Sequence, residues 1–403
     1  MISSVPLASN PESVRRSTKP GSGHMPMMKQ LQRLKILQIG NYPPPFCGWA
    51  ISTKLLVEEI RQRGHVCEVL NINENRRKRS SEYVDVQHAF DYLQKVIKFA
   101  LKGYRFQVHV NGQSKPGYML ALVAALVGRL TAKPVGLSWH GGLQQKFFPR
   151  TNDRIPRWAF QMLFTLAGHI SCNSTAVKQA IVKYGIAPAR VAAIPGFSSQ
   201  HLRFMKVPLG EPVEHFLGCH WPIFFCYLSF RPEYKLPVLR NAMSQFLQHY
   251  PRTGFIWLGF PTKELPDARA YINTWPARER ASLLLLGSLP HDEFLTLLGR
   301  SSAYIRTPAC DGVSASVLES LALGVPVLAS QNGHRPENVM TYREGDALDL
   351  CAGLLALAER HTGPRQERNV EGAADNISKT ADWLLANAGG RWQQPGKSLA
   401  HVR

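Results

Sequence analysis

The sequence predicts an α/β protein of two parallel-sheet lobes, on three observations. Short apolar runs alternate with amphipathic stretches along most of the chain. One stretch near the middle breaks that alternation. The length of 403 residues also exceeds what one hydrophobic core usually serves. Candidate strands in the first half are residues 35–41, 66–71, 106–111, 135–140, 170–174 and 191–195. In the second half they are 222–230, 254–259, 282–287, 303–307 and 326–330. Between them lie helical patterns such as 52–63, with Leu55, Leu56 and Ile60 on one side and Gly64 as the stop. Strands alternating with helices argue for parallel sheets covered on both faces.

Residues 198–220 lack a clear period and contain Pro208, Gly210 and Pro212, as a linker does. The expected organisation is a disordered tail over 1–30, a first lobe over 31–200 and a linker over 201–220. A second lobe over 221–360 follows, then a C-terminal helix and tail over 361–403, with the helix near 371–388. Ligands of such sheets bind beyond the carboxyl ends of the strands, so the loops after the strands are where chemistry is expected.

With 44% hydrophobic and 19% charged residues, the composition is that of an ordinary globular protein, which excludes wholesale disorder. The net charge of +20 is uneven. Residues 1–200 hold 27 Lys and Arg against 9 Asp and Glu, residues 201–403 hold 21 against 19, and 101–152 contain no acidic residue. A lobe of one sign attracts an anionic partner, such as an anionic membrane surface or a phosphorylated acceptor. No recognised nucleic-acid motif accompanies the charge, so no nucleic acid is expected as a partner. Seven scattered cysteines without a CxxC pair suit reduced thiols in a cytoplasmic protein and offer no zinc site. Residues 1–30 lack the apolar core of a signal peptide, and the longest apolar run, 119–128, falls short of the about 20 residues a spanning helix needs. Any membrane contact is therefore expected to be peripheral, on the inner face.

The densest chemical signal is residues 301–330, SSAYIRTPACDGVSASVLESLALGVPVLAS. A strand meets a loop with Asp311-Gly312, and a helix is expected to begin near Ser314 or Ser316, ending at Gly324 and Pro326. Its first backbone N–H groups, around Ser314, Ala315 and Ser316, form a site for a diphosphate. Asp311 and Glu319, eight apart, flank that helix start, where one carboxylate can hold a sugar hydroxyl and the other a ribose diol. Two structural readings compete: Asp-Gly is a common turn dipeptide, and Ser316 with Glu319 fits a helix capping box. A second signal is FCYLSFRPEYKL over 225–236, which delivers Arg231 and Lys235 to the loop after a strand. Arg suits bidentate contact with phosphate and Lys acts as a point charge. In the first lobe, NYPPPFCGWAIS sets Gly48 in the loop after the first strand, and His140-Gly141-Gly142 ends another strand.

These segments resemble glycosyltransferase family 4 and related retaining enzymes of GT-B fold. The family's E-G-F-G-L-P-x-x-E signature appears here as Asp311 to Glu319, with the spacing and the first glycine kept and Asp in place of the first Glu. Its G-R-x-x-x-E-K-G pattern appears around Arg231 and Lys235 with the spacing one residue shorter, and its first-loop Gly-Gly pair as Cys47-Gly48. The resemblance spans about 34–358 and implies two Rossmann-like domains facing a central cleft. The N-terminal domain would bind the acceptor and the C-terminal domain the nucleotide-sugar donor.

By that resemblance His140, Asp311 and Glu319 are the catalytic candidates. Gly48, Arg231, Lys235, Ser314, Ala315, Ser316 and Glu319 are the donor-binding ones, with neither metal nor cofactor required. The expected activity is a retaining transfer from a nucleotide-diphosphate sugar to a glycan or lipid-linked acceptor, in surface polysaccharide or lipopolysaccharide synthesis. Two alternatives stay open: a nucleotide-sugar epimerase, and a degenerate GT-B protein that binds anionic polymers.

Overall fold

The computed structural model describes residues 33–388 other than 45, 134, 144, 151–152, 311–312 and 361–373; the tail expected over 1–30 lies outside them. Two six-stranded parallel sheets organise the chain. The first is built from β1 (Lys35–Gly40), α1 (Gly48–Gln62), β2 (Val66–Asn71), α2 (Ala89–Leu101), β3 (Arg105–Val110) and α3 (Lys115–Leu130). It continues with β4 (Gly136–Trp139), α4 (Arg154–Leu166), β5 (His169–Cys172), α5 (Thr175–Val182) and β6 (Val191–Ala193). Its strand order is β2-β1-β3-β4-β5-β6.

The stretch read as a linker is not irregular throughout. Its second half folds into α6 (Glu211–Cys219), with Pro212 in the first turn, where its missing N–H costs nothing. The second sheet then runs through β7 (Ile223–Tyr227), α7 (Leu236–His249), β8 (Gly254–Leu258), α8 (Leu265–Asn273), α9 (Ala277–Ala281) and β9 (Leu283–Leu285). After these come α10 (His291–Arg300), β10 (Ala303–Arg306), α11 (Ala315–Ala322), β11 (Val327–Ser330), β12 (Met340–Tyr342) and α12 (Ala347–Arg360). The order is β12-β11-β10-β7-β8-β9.

All eleven expected strands are present: β2 has the expected bounds, β3 and β5 begin one residue earlier than expected, the others are trimmed at one or both ends, and β12 is an addition. The last helix, α13 (Asn376–Ala388), returns to the first lobe. Its Ala381 and Leu384 pack with Leu56, Val57 and Ile60 of α1, and Arg63 reaches both Asp382 and the Ser378 carbonyl.

The two faces of the first sheet differ in kind. Leu37, Ile39, Phe106, Val108, Leu137 and Trp139 point into the large apolar core beneath α2, α3, α4 and α5. The alternate positions, Gln38, Gln107, His109, Ser138 and Ser171, are buried as well but polar. They satisfy one another in part: Gln107 donates to Ser138 at 2.8 Å, and the Ser138 and Ser171 hydroxyls lie 3.1 Å apart. Burial of such groups is tolerable only with partners, so this row holds its side chains in fixed orientations. It ends beside His140.

Candidate active site

Each sheet changes the direction of its strand order once, between β1 and β3 in the first and between β7 and β10 in the second. Loops diverge at such points and leave a crevice beyond the carboxyl ends of the strands. Both crevices open into one cavity of about 290 Å³. The loop after β1 contributes Phe46, Cys47 and Gly48, the end of β4 His140 and Gly141, β7 Tyr227, and β10 Arg306. Ser314, Ala315, Ser316 and Glu319 of the α11 segment and His291 of α10 complete the part that carries chemistry.

Two helix starts meet there. Helix α1 begins at Gly48 and α11 at Ala315, and neither N-cap residue, Cys47 or Ser314, caps its helix with its side chain. First-turn N–H groups have no intrahelical acceptor and carry the positive end of the helix dipole. Gly48 eases the approach: a Cβ on it would stand 3.1 Å from the Cβ of Ala315, a tight contact. At the head of α11 the Tyr304 hydroxyl lies 2.7 Å from Ser316 Oγ, which lies 2.8 Å from Ser314 Oγ. The two lobes also touch through the Tyr227 hydroxyl, which donates to the Phe46 carbonyl at 3.4 Å.

Glu319 is only 3% exposed, and its Oε1 lies 3.0 Å from His291 Nε2. The capping-box alternative does not hold, because Ser316 sits inside the helix and Glu319 turns to α10 instead. A buried carboxylate needs such a partner; as a cavity-lining group it can accept hydrogen bonds from hydroxyls.

His140 sits where the buried polar row reaches the cavity. Its Nε2 is 2.9 Å from Nδ1 of His109, whose Nε2 is 2.8 Å from the amide oxygen of Gln38. Burial holds His140 down to about 3 and His109 well below the usual imidazole range. Both rings are therefore neutral near pH 7, and the chain of bonds sets their tautomers. The Gln38 oxygen only accepts, so His109 Nε2 carries the proton and His109 Nδ1 accepts one from His140 Nε2. This leaves a lone pair on His140 Nδ1. Trp49 stacks on the His140 ring with centroids 4.7 Å apart and fixes its plane. Gly40 makes room for the pair, since a Cβ there would lie 2.9 Å from the His109 ring.

The sequence-predicted residues divide into three groups. His140, Gly48, Ser314, Ala315, Ser316 and Glu319 come together around the cavity. Arg231 and Lys235 do not line it. Arg231 is 60% exposed, 3.9 Å from Glu233, though its charge reaches Cys47; Lys235 is 3.6 Å from Glu344 and caps α7 in a left-handed conformation with φ 49°. Asp311 lies outside the described residues. The residues that the sequence did not single out are His291, His109, Gln38 and Arg306. The Arg306 guanidinium lies 5.5 Å from the Tyr234 ring centroid, at the mouth of the second crevice. Among the described residues no group of three or more His, Cys, Asp or Glu stands ready to hold a metal ion.

Residues 48–197 match the family model Glycosyltransferase Family 4. No curated protein is significantly similar to the chain in sequence. Several solved structures share its architecture at low identity. HepE from Anabaena, solved with UDP, is 13% identical with a TM-score of 0.56, over 89% of this chain and 96% of that one. A glycosyltransferase from Rickettsia africae is 13% identical with a TM-score of 0.60, over 90% and 95%. The UDP-GlcNAc 2-epimerase of Methanocaldococcus jannaschii, solved with UDP-GlcNAc and UDP, is 13% identical with a TM-score of 0.57, over 88% and 100%. Sheet topology and crevice agree with these structures: the chain has the two-domain GT-B fold, and its residues 48–197 are similar to glycosyltransferase family 4.

Proposed function

We propose that the chain is a retaining glycosyltransferase that takes a sugar from a nucleoside-diphosphate sugar and passes it to a glycan or lipid-linked acceptor. The observation that carries this reading is the meeting of two helix starts, at Gly48 and Ala315, in the cavity shared by both lobes. Such a pair suits a diphosphate, with Arg306 beside it and Arg231 and Lys235 on the neighbouring loop. The loose ion pairs of Arg231 and Lys235 leave both able to turn to a phosphate. Each charge-assisted hydrogen bond contributes about 1.5–3 kcal/mol, so this set can stabilise a leaving diphosphate without a metal.

In this reading Glu319 accepts from the ribose diol, and His140 Nδ1 accepts from a hydroxyl of the transferred sugar. The acid at position 311 holds another hydroxyl of that sugar. Retention rests on the family resemblance, as does the role in surface polysaccharide or lipopolysaccharide synthesis by a cytoplasmic, membrane-peripheral enzyme. UDP is the first nucleotide to test because HepE and the epimerase were solved with it.

A thermal-shift panel of UDP, GDP, ADP, dTDP and CDP tests the proposal. One nucleotide is expected to stabilise the protein selectively. A response to polyanions alone would favour the polymer-binding alternative. The epimerase reading, favoured by the fold shared with the archaeal enzyme, requires turnover of the donor with no acceptor present.

A further inference from the structure

We propose that the outer surface of α2, α3 and α4 is a docking face for an anionic lipid bilayer. These helices pack side by side over the apolar face of the first sheet. Their inward sides are accounted for by Tyr92, Val96 and Ala100, by Ala121, Ala124 and Ala125, and by Phe160, Leu163 and Phe164, all buried. Each helix also carries apolar side chains on its outer side, where nothing covers them. They are Ile97 and Leu101 on α2, Leu126 and Leu130 on α3, and Ile155 and Trp158 on α4. Leu101, Leu130, Ile155 and Trp158 are 78%, 85%, 81% and 63% exposed. Spacings of three or four residues put each pair on one stripe of its helix. Scattered exposed apolar residues are ordinary; here they recur on the outer side of three adjacent helices, at the C-terminal ends of α2 and α3 and at the start of α4.

The charge around the patch selects its occupant. Exposed Lys98, Lys102, Arg154 and Arg157 stand beside the stripes. From residue 92 to 152 the chain holds nine Lys and Arg and no Asp or Glu. A second copy docking on the same face would set cation against cation, and nucleic acid has no use for projecting Leu and Ile side chains. A bilayer with acidic headgroups takes both, as shallow insertion of the apolar side chains and counter-charge for the basic ones. Trp158 suits the headgroup boundary. Among the described residues no helix is long and apolar enough to cross a membrane, and this attachment requires none. The inference deepens the reading of a lipid-linked acceptor and rests on it only for what docking would serve.

Co-sedimentation with phosphatidylcholine vesicles, with and without phosphatidylglycerol, is the test. The wild-type chain is expected to bind the phosphatidylglycerol vesicles, less so as salt is raised. The variant Leu101→Ser/Leu130→Ser/Trp158→Ser is expected to bind them at least about tenfold more weakly. Lys98→Gln/Lys102→Gln/Arg154→Gln/Arg157→Gln should lose the preference for phosphatidylglycerol. All seven positions are on the surface, so both variants should keep the wild-type melting temperature. Failure of the wild type to bind phosphatidylglycerol vesicles overturns the proposal, as does undiminished binding by the apolar variant. So does a wild-type dimer that the apolar variant turns into a monomer. The nucleotide panel reads the donor site separately, so either proposal can fail without the other.

Discussion

Gly48 and Ala315 each open a helix in a different lobe, and they stand so close that a Cβ on Gly48 would be 3.1 Å from that of Ala315. Gly48→Ala asks its neighbour to give by a few tenths of an ångström. Gly48→Leu must part the two helix starts. Because a misplacement of about 1 Å costs roughly 10²-fold in rate, Gly48→Leu is expected to lower kcat/KM for transfer about 10²-fold, and Gly48→Ala far less. Equal kinetics for the two variants would contradict the close approach.

Glu319→Gln keeps the shape but removes the charge that faces His291 at 3.0 Å. Transfer is expected to fall by about 10²-fold or more, the size typical of losing one preorganised group. Steady-state kinetics with saturating donor measures it. Near-normal turnover would take Glu319 out of the site.

The cations separate by titration with the nucleotide that the panel selects. Arg306→Ala, Arg231→Ala and Lys235→Ala are each expected to weaken binding about tenfold or more, as the loss of one charge-assisted hydrogen bond implies. Arg306→Lys should recover only part of the loss, since it keeps the charge without the planar fork. Calorimetric affinities settle the ranking, and wild-type affinity in Arg306→Ala would remove that residue from the diphosphate site.

Acid should destabilise the protein through its buried imidazoles. Burial holds His169 at about 4 and His109 well below the usual value. The folded chain therefore stays neutral at these positions, while the unfolded chain takes up protons below about pH 6.5. Protons bound preferentially by the unfolded state reduce stability as pH falls, by up to about 1.4 kcal/mol per pH unit for each such histidine. The melting temperature should drop between pH 7 and pH 5, and by less in His169→Leu. An identical drop in the variant would contradict the assignment.

The strands were legible because fully buried parallel strands read as apolar runs, and the glycine and proline stops around them are local. The strand β12 was not, being three residues long with Thr341 exposed at its centre. The α11 segment could be read because its start, its length and Glu319 lie within one stretch of sequence. Arg231 and Lys235 were read from a local pattern that says nothing of where their side chains come to rest. The pairing of His140 with His109 and Gln38 joins residues 31 and 71 positions apart, and only strand register brings them together. One signal did exist. Gln107 and His109 stand two apart in β3, and Gln38 and Ser138 each interrupt the apolar run of β1 and β4, where a buried sheet has no use for polar side chains unless they form a network.

A crystal structure with a bound nucleoside-diphosphate sugar reads the donor site itself. The diphosphate is expected between the starts of α1 and α11, within hydrogen-bonding distance of the Ala315 and Ser316 amides, with the ribose on Glu319. A nucleotide bound away from those two helix starts would contradict it.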